Sequence, residues 1–236
     1  MPTSRSFQQF EDALEMAEEL IKIESTYNNP PRASEIRAVR GLRGAASVLV
    51  VAAFENFLRE CMEEHLSELS HLHLKLQFHK LPDKLRVSSI FNSLERAMKG
   101  PLYQETIPKV DRLTEIERVC KIIIAGNLDP QVFSDTGGNP NSKNVKSMFS
   151  SVALDNIFIR VRPKFDRKWG KPEAHTFIEN KLDEIVNRRH VVAHTADALK
   201  ITRSNLKESV RFLKILASVL DVELREHIKN LIKLCT

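Results

Sequence analysis

The residues best suited to chemistry lie in one short segment near the carboxyl end of the chain: Asn187, Arg188, Arg189, His190 and His194. Arg189 carries a permanent planar cation that can hold a phosphate with two hydrogen bonds and stabilise charge developing on it. His194 titrates near neutrality and can withdraw or return a proton. Together these two groups suffice to cleave RNA without a metal ion, because a deprotonated 2′-hydroxyl can attack its own neighbouring phosphate.

The spacing of Arg189 and His194 sets a geometric condition. Five residues at about 100° each place the two side chains about 140° apart around a regular helix. Either the helix ends within the segment, or the working pair is assembled with a symmetric copy from a second subunit.

Two other interpretations of the segment stay open. His190 and His194 are four residues apart, so on a helix they share a face, with Asp183 and Asn187, and could share a zinc ion. The HExxH pattern of metalloproteases needs Glu after the first His, where this chain has Val191, so we expect no metal and no other cofactor. Alternatively, Arg and His near the end of a helix interact with the helix dipole and its last carbonyls, which is a purely structural role.

The composition indicates a helical globular protein. The chain has 236 residues and a mass of 27.0 kDa, with 42% hydrophobic and 28% charged residues, which excludes general disorder. Only 7 Gly and 10 Pro accompany abundant Leu, Ile, Glu, Lys and Arg, which favours helices. Lys and Arg exceed Asp and Glu by 36 to 31, and this net charge of +5 permits a polyanionic partner without requiring one.

Cysteine usage and hydropathy predict a cytoplasmic protein that does not enter a membrane. Cys61, Cys120 and Cys235 are odd in number and far apart, which excludes a disulfide framework and suits a reducing compartment. The amino-terminal sequence has no continuous apolar stretch of the kind found in signal peptides. The most apolar run, residues 45–58, is broken by polar residues and is shorter than the roughly 20 residues of a membrane span.

Apolar residues spaced three or four apart predict a single all-α domain over residues 1–236. We expect an N-terminal helix within 1–32, core helices within 33–125, a loop-rich basic insertion at 126–175, and a motif helix and long C-terminal helix within 176–236. In the last helix, apolar residues from Leu206 to Leu234 recur with a spacing close to seven. They predict a long seam that packs on another helix, either within the chain or across a dimer.

The second helix of the chain, starting near Ser34, contains the run AASVLVVAAFENFL, which is apolar nearly all round. Such a run is typical of a central, enclosed helix. Glu55 lies inside it, and a carboxylate buried there must be paired with a cation or hydrogen-bonded. The alternative is that Glu55 faces solvent.

Residues 157–171 combine cations with interleaved aromatic residues. Charges neutralise phosphates and aromatic faces stack on unpaired bases, so this composition suits single-stranded nucleic acid. The candidate RNA-binding residues are Arg160, Arg162, Lys164, Arg167, Lys168 and Trp169. A solvated basic loop with its aromatic residues in the core is the alternative.

The segment from Arg189 to His194 resembles the Rx4-6H motif of the HEPN superfamily, with His190 at the polar second position. The run AASVLVVAAFENFLRE is similar to the long first core helix of the RiboL-PSP-like HEPN branch, including its central acidic residue, here Glu55. The stretch GGNPNSKNVKSMFSSVALDNIF resembles that branch's Gly-Asn-(Tyr/Pro)-Ser loop and short helix. The likeness spans about residues 34–230.

This resemblance implies an all-α helical bundle that dimerises and places two motifs at a shared cleft. It implies a metal-independent endoribonuclease that acts as a toxin or an anti-phage effector, with single-stranded RNA as substrate and a cognate antitoxin or defence protein as a further partner. Arg189 would bind the phosphate, His194 would act on the 2′-hydroxyl or leaving group, and His190 would orient the site, supported by Arg188, Asn187 and Glu55. A non-catalytic HEPN-like module that binds RNA, a nucleotide or a protein, through the 206–234 seam in the protein-binding case, is the alternative.

Overall fold

The computed structural model describes residues 3–71, 77–99, 108–195, 198 and 200–235, with side chains described throughout these ranges except at residues 70, 71, 109 and 193–195. Over these residues the chain forms α-helices and two short 3₁₀ turns and no β-strand, so the all-α prediction is confirmed. The helices are α1 (Arg5–Glu24), α2 (Ile36–His71), α3 (Asp83–Lys99), α4 (Lys109–Ile124), α5 (Ser142–Ser151), α6 (Ile157–Trp169), α7 (Phe177–Thr195) and α8 (Arg203–Cys235). The 3₁₀ turns are Phe78–Lys80 and Pro130–Phe133.

The first helix forms where the apolar spacing predicts it. The Oγ atom of Ser4 accepts a hydrogen bond from the backbone N–H of Phe7 at 3.1 Å, which satisfies one of the free donors at the start of α1. Its apolar residues that recur every three or four positions are buried, namely Phe7, Phe10, Leu14, Ala17 and Ile21. Among them, Phe7 and Phe10 form an aromatic cluster with Phe54 and Phe57 of α2, so α1 lies along α2.

Helix α2 is the centre of the bundle and packs on α1, α7 and α8. Among the described residues, it alone is long and apolar enough to cross a membrane, yet 56% of its most apolar window is buried inside the protein. This burial is compatible with the core helix of a soluble protein. The predicted enclosure is incomplete, because Ala45, Ala52, Asn56 and Arg59 form an exposed strip along one side of α2.

The predicted seam of α8 is used within the chain. From Leu206 to Leu231 its apolar residues are buried, and α8 packs on α1, α2 and α6. Leu234 is the exception, with 70% of its surface exposed. The 206–234 seam is therefore part of the core, and the expectation that it serves as a partner-binding surface is wrong.

The loop-rich insertion is shorter than the predicted 126–175. Helices α5 and α6 occupy much of this region, and the longest irregular stretch is residues 125–141, which contains the turn Pro130–Phe133. Helix α6 forms because its apolar residues recur every three or four positions and are buried, and the many cations between them obscured this pattern in the sequence. Its buried residues are Ile157, Phe158, Val161, Phe165 and Trp169.

A buried ion-pair cluster fixes the connection between α7 and α8 against α2. The carboxylate of Glu24, which is fully buried, is 2.7 Å from Arg43 Nη2 and 2.6 Å from Arg203 Nε. Arg43 Nη1 also donates to the carbonyl of Ile201 at 3.0 Å. Burial raises the pKa of Glu24, but the hydrogen bonds from Arg203 and Arg43 outweigh it and leave the pKa below its ordinary value. The resulting stabilisation is present above the pKa of an unfolded Glu and is lost as the pH falls through the folded pKa.

Candidate active site

Helix α7 carries the candidate catalytic segment and stays helical through Thr195. Its buried face includes Ile178, Leu182, Ile185 and Val186, which hold it against the core. Of the two alternatives for the pair Arg189 and His194, the one in which the helix ends within the motif is therefore excluded. Positions 189 and 194 consequently lie about 140° apart around one continuous helix.

The side chains of the segment differ in exposure. Asn187 and His190 are exposed, whereas Arg188 and Arg189 are half-buried. Arg189 follows the buried Leu182 by seven residues, or two helical turns, so it lies on the flank of α7 that faces the core. Helix α7 carries His194 in its last turn, but the side chain of His194 lies outside the described residues.

The two neighbouring arginines have different partners. The guanidinium of Arg188 forms an ion pair with Glu184 one turn earlier, and its Nη1 atom is buried without a hydrogen-bond partner. Arg188 therefore forms an ion pair within its own helix and is not an unpaired cation. Arg189, in contrast, has no hydrogen bond or ion pair with any described residue. A partly exposed guanidinium without a carboxylate partner is suited to bind an anion.

The loop before α5 is built around two side-chain amides and is attached to α7. Asn141 caps α5 by accepting from the backbone N–H of Asn144 at 2.9 Å, and the Asn144 amide donates to the carbonyl of Thr136 at 3.1 Å. The backbone N–H and the hydroxyl of Ser142 donate to the two oxygens of Asp183 at 2.7 and 2.8 Å. Both oxygens of Asp183 are thus committed to this attachment, which weakens the proposal that Asp183 supplies a zinc ligand beside His190.

Glu55, on α2, contacts this loop. Its side chain is half-buried, and Oε1 accepts a hydrogen bond from the hydroxyl of Thr136 at 2.9 Å. Of the two alternatives for Glu55, hydrogen bonding is therefore the one observed. Glu55 lines a cavity of about 460 Å³ between α2, α3, α5 and the loop, together with Arg59, Arg96 and Lys99. No residue of α7 lines this cavity, so a supporting role of Glu55 in the motif stays a prediction.

The direction of α7 places the motif beside the amino-terminal half of α2. A Cβ atom added to Gly44 would lie 3.2 Å from Val192 Cγ1, so the end of α7 packs directly on Gly44. Asp183, in the first half of α7, is attached to the loop that contacts Glu55, and Glu55 lies eleven residues beyond Gly44 along α2. The two helices are therefore antiparallel, and Arg189 lies at the level of α2 between Gly44 and Glu55.

The basic residues of α6 have partners on neighbouring segments. Lys164 is 3.0 Å from Glu223 and 2.7 Å from Glu226, and Arg160 also pairs with Glu223. The other contacts are those of Arg162 with Asp166 and the carbonyl of Glu173, and of Lys168 with Ser218. Arg167 alone among these five cations is exposed and has no partner among the described residues. The RNA-binding role of these cations stays a prediction, and three of the five are paired with carboxylates within the fold.

Trp169 is a core residue, so its predicted role in stacking on RNA bases is wrong. Its side chain is 7% exposed and packs with Phe165, Phe177 and Phe212. The ring centroids of neighbouring residues in this cluster are 5.5–6.3 Å apart. The indole Nε1 donates to Glu173 at 3.0 Å, and the guanidinium of Arg211 lies 4.4 Å from the ring centroid. Both faces and the polar edge of the ring are thus occupied within the fold.

One group of possible metal ligands exists among the described residues, and it is far from the motif. Cys61, His65 and Asp221 place ligand atoms within 4.8 Å of one another, and all three are buried. Nε2 of His65 lies 2.8 Å from Asp221 Oδ1, and Arg225 binds the other carboxylate oxygen at 2.7 Å. Burial raises the pKa of the Cys61 thiol well above its ordinary value, so the neutral thiol is favoured. This cluster joins α2 to α8 and does not contact α7.

The helical fold and the unpaired Arg189 on a continuous helix define an all-α protein with a candidate anion-binding motif. The chain belongs to the RiboL-PSP-HEPN family, whose family model matches residues 11–226. The resemblance found in the sequence is thereby confirmed over nearly the whole chain, and the assignment of Arg189 to His194 as the Rx4-6H motif stays a prediction. No curated protein and no solved structure matches this chain.

Proposed function

We propose that this protein is a metal-independent endoribonuclease that cleaves single-stranded RNA. Membership of the HEPN family supports a nuclease or RNA-related domain. The observation that carries the catalytic proposal is the placement of Arg189, a half-exposed guanidinium without a described partner, on the same continuous helix as His194. The proposed setting is the cytoplasm, which follows from the cysteine usage. The proposed role as a toxin or anti-phage effector rests on the family resemblance alone.

In the proposed mechanism, Arg189 binds the scissile phosphate and stabilises the negative charge that accumulates on its oxygens. His194 takes the proton of the 2′-hydroxyl, whose oxygen then attacks the adjacent phosphorus. The bond between phosphorus and the 5′-oxygen breaks, and that oxygen receives a proton. The products are a cyclic phosphate and a free 5′-hydroxyl, and His190 orients the phosphate at the polar position of the motif.

We further propose that the working site is formed by two copies of the chain. A pair separated by about 140° on one helix does not converge on a single phosphate, whereas a twofold axis beside α7 brings Arg189 of one copy towards His194 of the other. The exposed side of α7 offers Val191 for such a contact, with 47% of its surface accessible. The exposed strip of α2 from Ala45 to Arg59 lies on the helix next to it.

The test is a cleavage assay of the purified protein on single-stranded RNA oligonucleotides in EDTA. We expect cleavage that is insensitive to the chelator and leaves cyclic-phosphate ends, detected by mass spectrometry of the products. Cleavage that requires an added divalent ion would contradict the mechanism. Tight RNA binding without cleavage of any oligonucleotide would favour the non-catalytic module instead.

The packing of α7 on Gly44 provides a second test with a matched control in the same helix. Gly41 has nothing within 4 Å of an added Cβ, so Gly41→Ala is expected to raise the free energy of unfolding by about 0.5–1 kcal/mol. Gly44→Ala is expected to gain less stability and to cleave RNA more slowly, because Val192 must shift and the end of α7 moves with it. Urea unfolding and the cleavage assay measure both effects, and equal behaviour of the two variants would contradict the close contact.

A further inference from the structure

Two segments that meet in the fold contain no acidic residue, although the chain has 31 Asp and Glu. One is residues 36–54 of α2, and the other is residues 185–195 of α7. They come together where Val192 packs on Gly44. Along these two stretches the surface beside the candidate motif lacks carboxylates, and the adjacent Glu184 of α7 is paired with Arg188.

Arg37 and Arg40 extend this surface along α2. They precede Gly44 by seven and four residues, so they lie on the same side of α2 as Gly44, about 10 and 6 Å further towards its start. Both side chains are exposed, and neither has a hydrogen bond or ion pair with a described residue. The nearest carboxylate along the chain, Glu35, is occupied by the Asn28 amide at 2.8 Å and the Arg32 backbone N–H at 2.9 Å.

A contribution to the stability of α2 does not explain why arginines occupy positions 37 and 40. Arg37 and Arg40 lie in the first turns of α2, where the positive end of the helix dipole repels a cation. No acidic residue occurs in the first turn of α2 to offset them. An external anion bound there would instead interact favourably with both the arginines and the helix terminus.

We infer that Arg37 and Arg40 bind phosphates on one side of the scissile one and guide single-stranded RNA along α2 to Arg189. This inference rests on the proposed function and names the substrate path of the same site. It replaces α6 as the RNA-binding surface, because three of the five cations of α6 are paired with carboxylates, two of them with Glu223 and Glu226 of α8. The chemical feature recognised is the phosphate backbone, so no base preference is expected from these two residues.

The experiment compares two double variants that remove the same charge from different surfaces. Arg37→Gln/Arg40→Gln removes the two cations of α2, and Lys229→Gln/Lys233→Gln removes two exposed cations of α8 that lack described partners. The probe for binding is a 2′-O-methylated single-stranded oligonucleotide, which lacks the attacking hydroxyl, and the readout is fluorescence anisotropy over a series of salt concentrations.

The α2 double variant is expected to lower the slope of log affinity against log salt by about 1.4, which corresponds to two phosphate contacts on a single strand. We expect the α8 double variant to keep the wild-type slope. The α2 variant should raise KM for unmodified RNA while kcat at saturating RNA stays within about twofold, because uniform binding contacts act on KM.

An unchanged slope in the α2 variant, or an equal loss in both variants, overturns the inference. Either result leaves the proposed function standing if the wild-type protein still cuts RNA in EDTA. Absence of cleavage by the wild-type protein is a separate outcome, which contradicts the proposed function and with it the path to Arg189.

Discussion

Replacing His194 with alanine is expected to slow RNA cleavage on the order of 10³-fold, because the 2′-hydroxyl loses the group that accepts its proton. Arg189→Ala is expected to lose on the order of 10²- to 10³-fold, because charge developing on the phosphate is no longer stabilised by a positioned cation. Arg189→Lys should recover little of this activity, since an ammonium cannot reproduce the two parallel hydrogen bonds of a guanidinium. Single-turnover cleavage in EDTA measures these effects on chemistry separately from RNA binding.

The chain offers a matched control for each substitution. His175→Ala removes an exposed histidine from the connection before α7, and Arg5→Ala removes an exposed arginine from α1 whose side chain has no described partner. Both controls are expected to cleave at the wild-type rate, and circular dichroism of all the variants should match that of the wild-type protein. If His194→Ala keeps wild-type cleavage, or loses activity only because it unfolds, the catalytic role of the motif is contradicted.

The sequence predicted those parts of the fold that depend on local periodicity. The apolar positions of α1 and α8 recur at helical spacing over many turns, so their buried faces could be identified before any contact was known. In α6 the same periodicity exists over only 13 residues and is interrupted by cations, so composition dominated the interpretation. Trp169 illustrates the error, since its neighbours in space, Phe177 and Phe212, come from two other helices.

The same distinction between local patterns and contacts distant in sequence applies to the candidate site. Arg189 and His194 are close in sequence, so residue types and spacing sufficed to select them. The contacts of Ser142 with Asp183 and of Thr136 with Glu55 span 41 and 81 residues, and no local pattern encodes such pairs. Arg37 and Arg40 were missed because α2 was interpreted through its apolar run, and their relation to the motif depends on the packing of Gly44 on Val192. The absence of Asp and Glu from residues 36–54 was the sequence signal that could have identified them.

A site shared between two copies makes a prediction for mixed dimers that a site within one chain does not make. An Arg189→Ala copy paired with a His194→Ala copy contains one intact combination, the Arg189 of the second copy with the His194 of the first. Such a dimer, isolated by two different affinity tags, is expected to cleave RNA at about half the wild-type rate, because one of its two symmetric sites is complete. Each parental homodimer should be inactive, so the gain on mixing is on the order of 10²-fold or more.

A second mixed dimer gives the opposite result and excludes simple dilution effects. When one copy is wild type and the other carries both Arg189→Ala and His194→Ala, every shared site lacks one of its two groups, so we expect no cleavage. A site contained within one chain would instead leave this dimer half active and the first mixed dimer inactive. The dimer of wild type with His194→Ala alone has one complete site under either arrangement and therefore calibrates the rate of a single site. If no mixed dimer can be isolated and the active species is a monomer, the shared site is contradicted directly. Positions 189 and 194, about 140° apart on the continuous helix α7, would then have to act on one phosphate within a single chain.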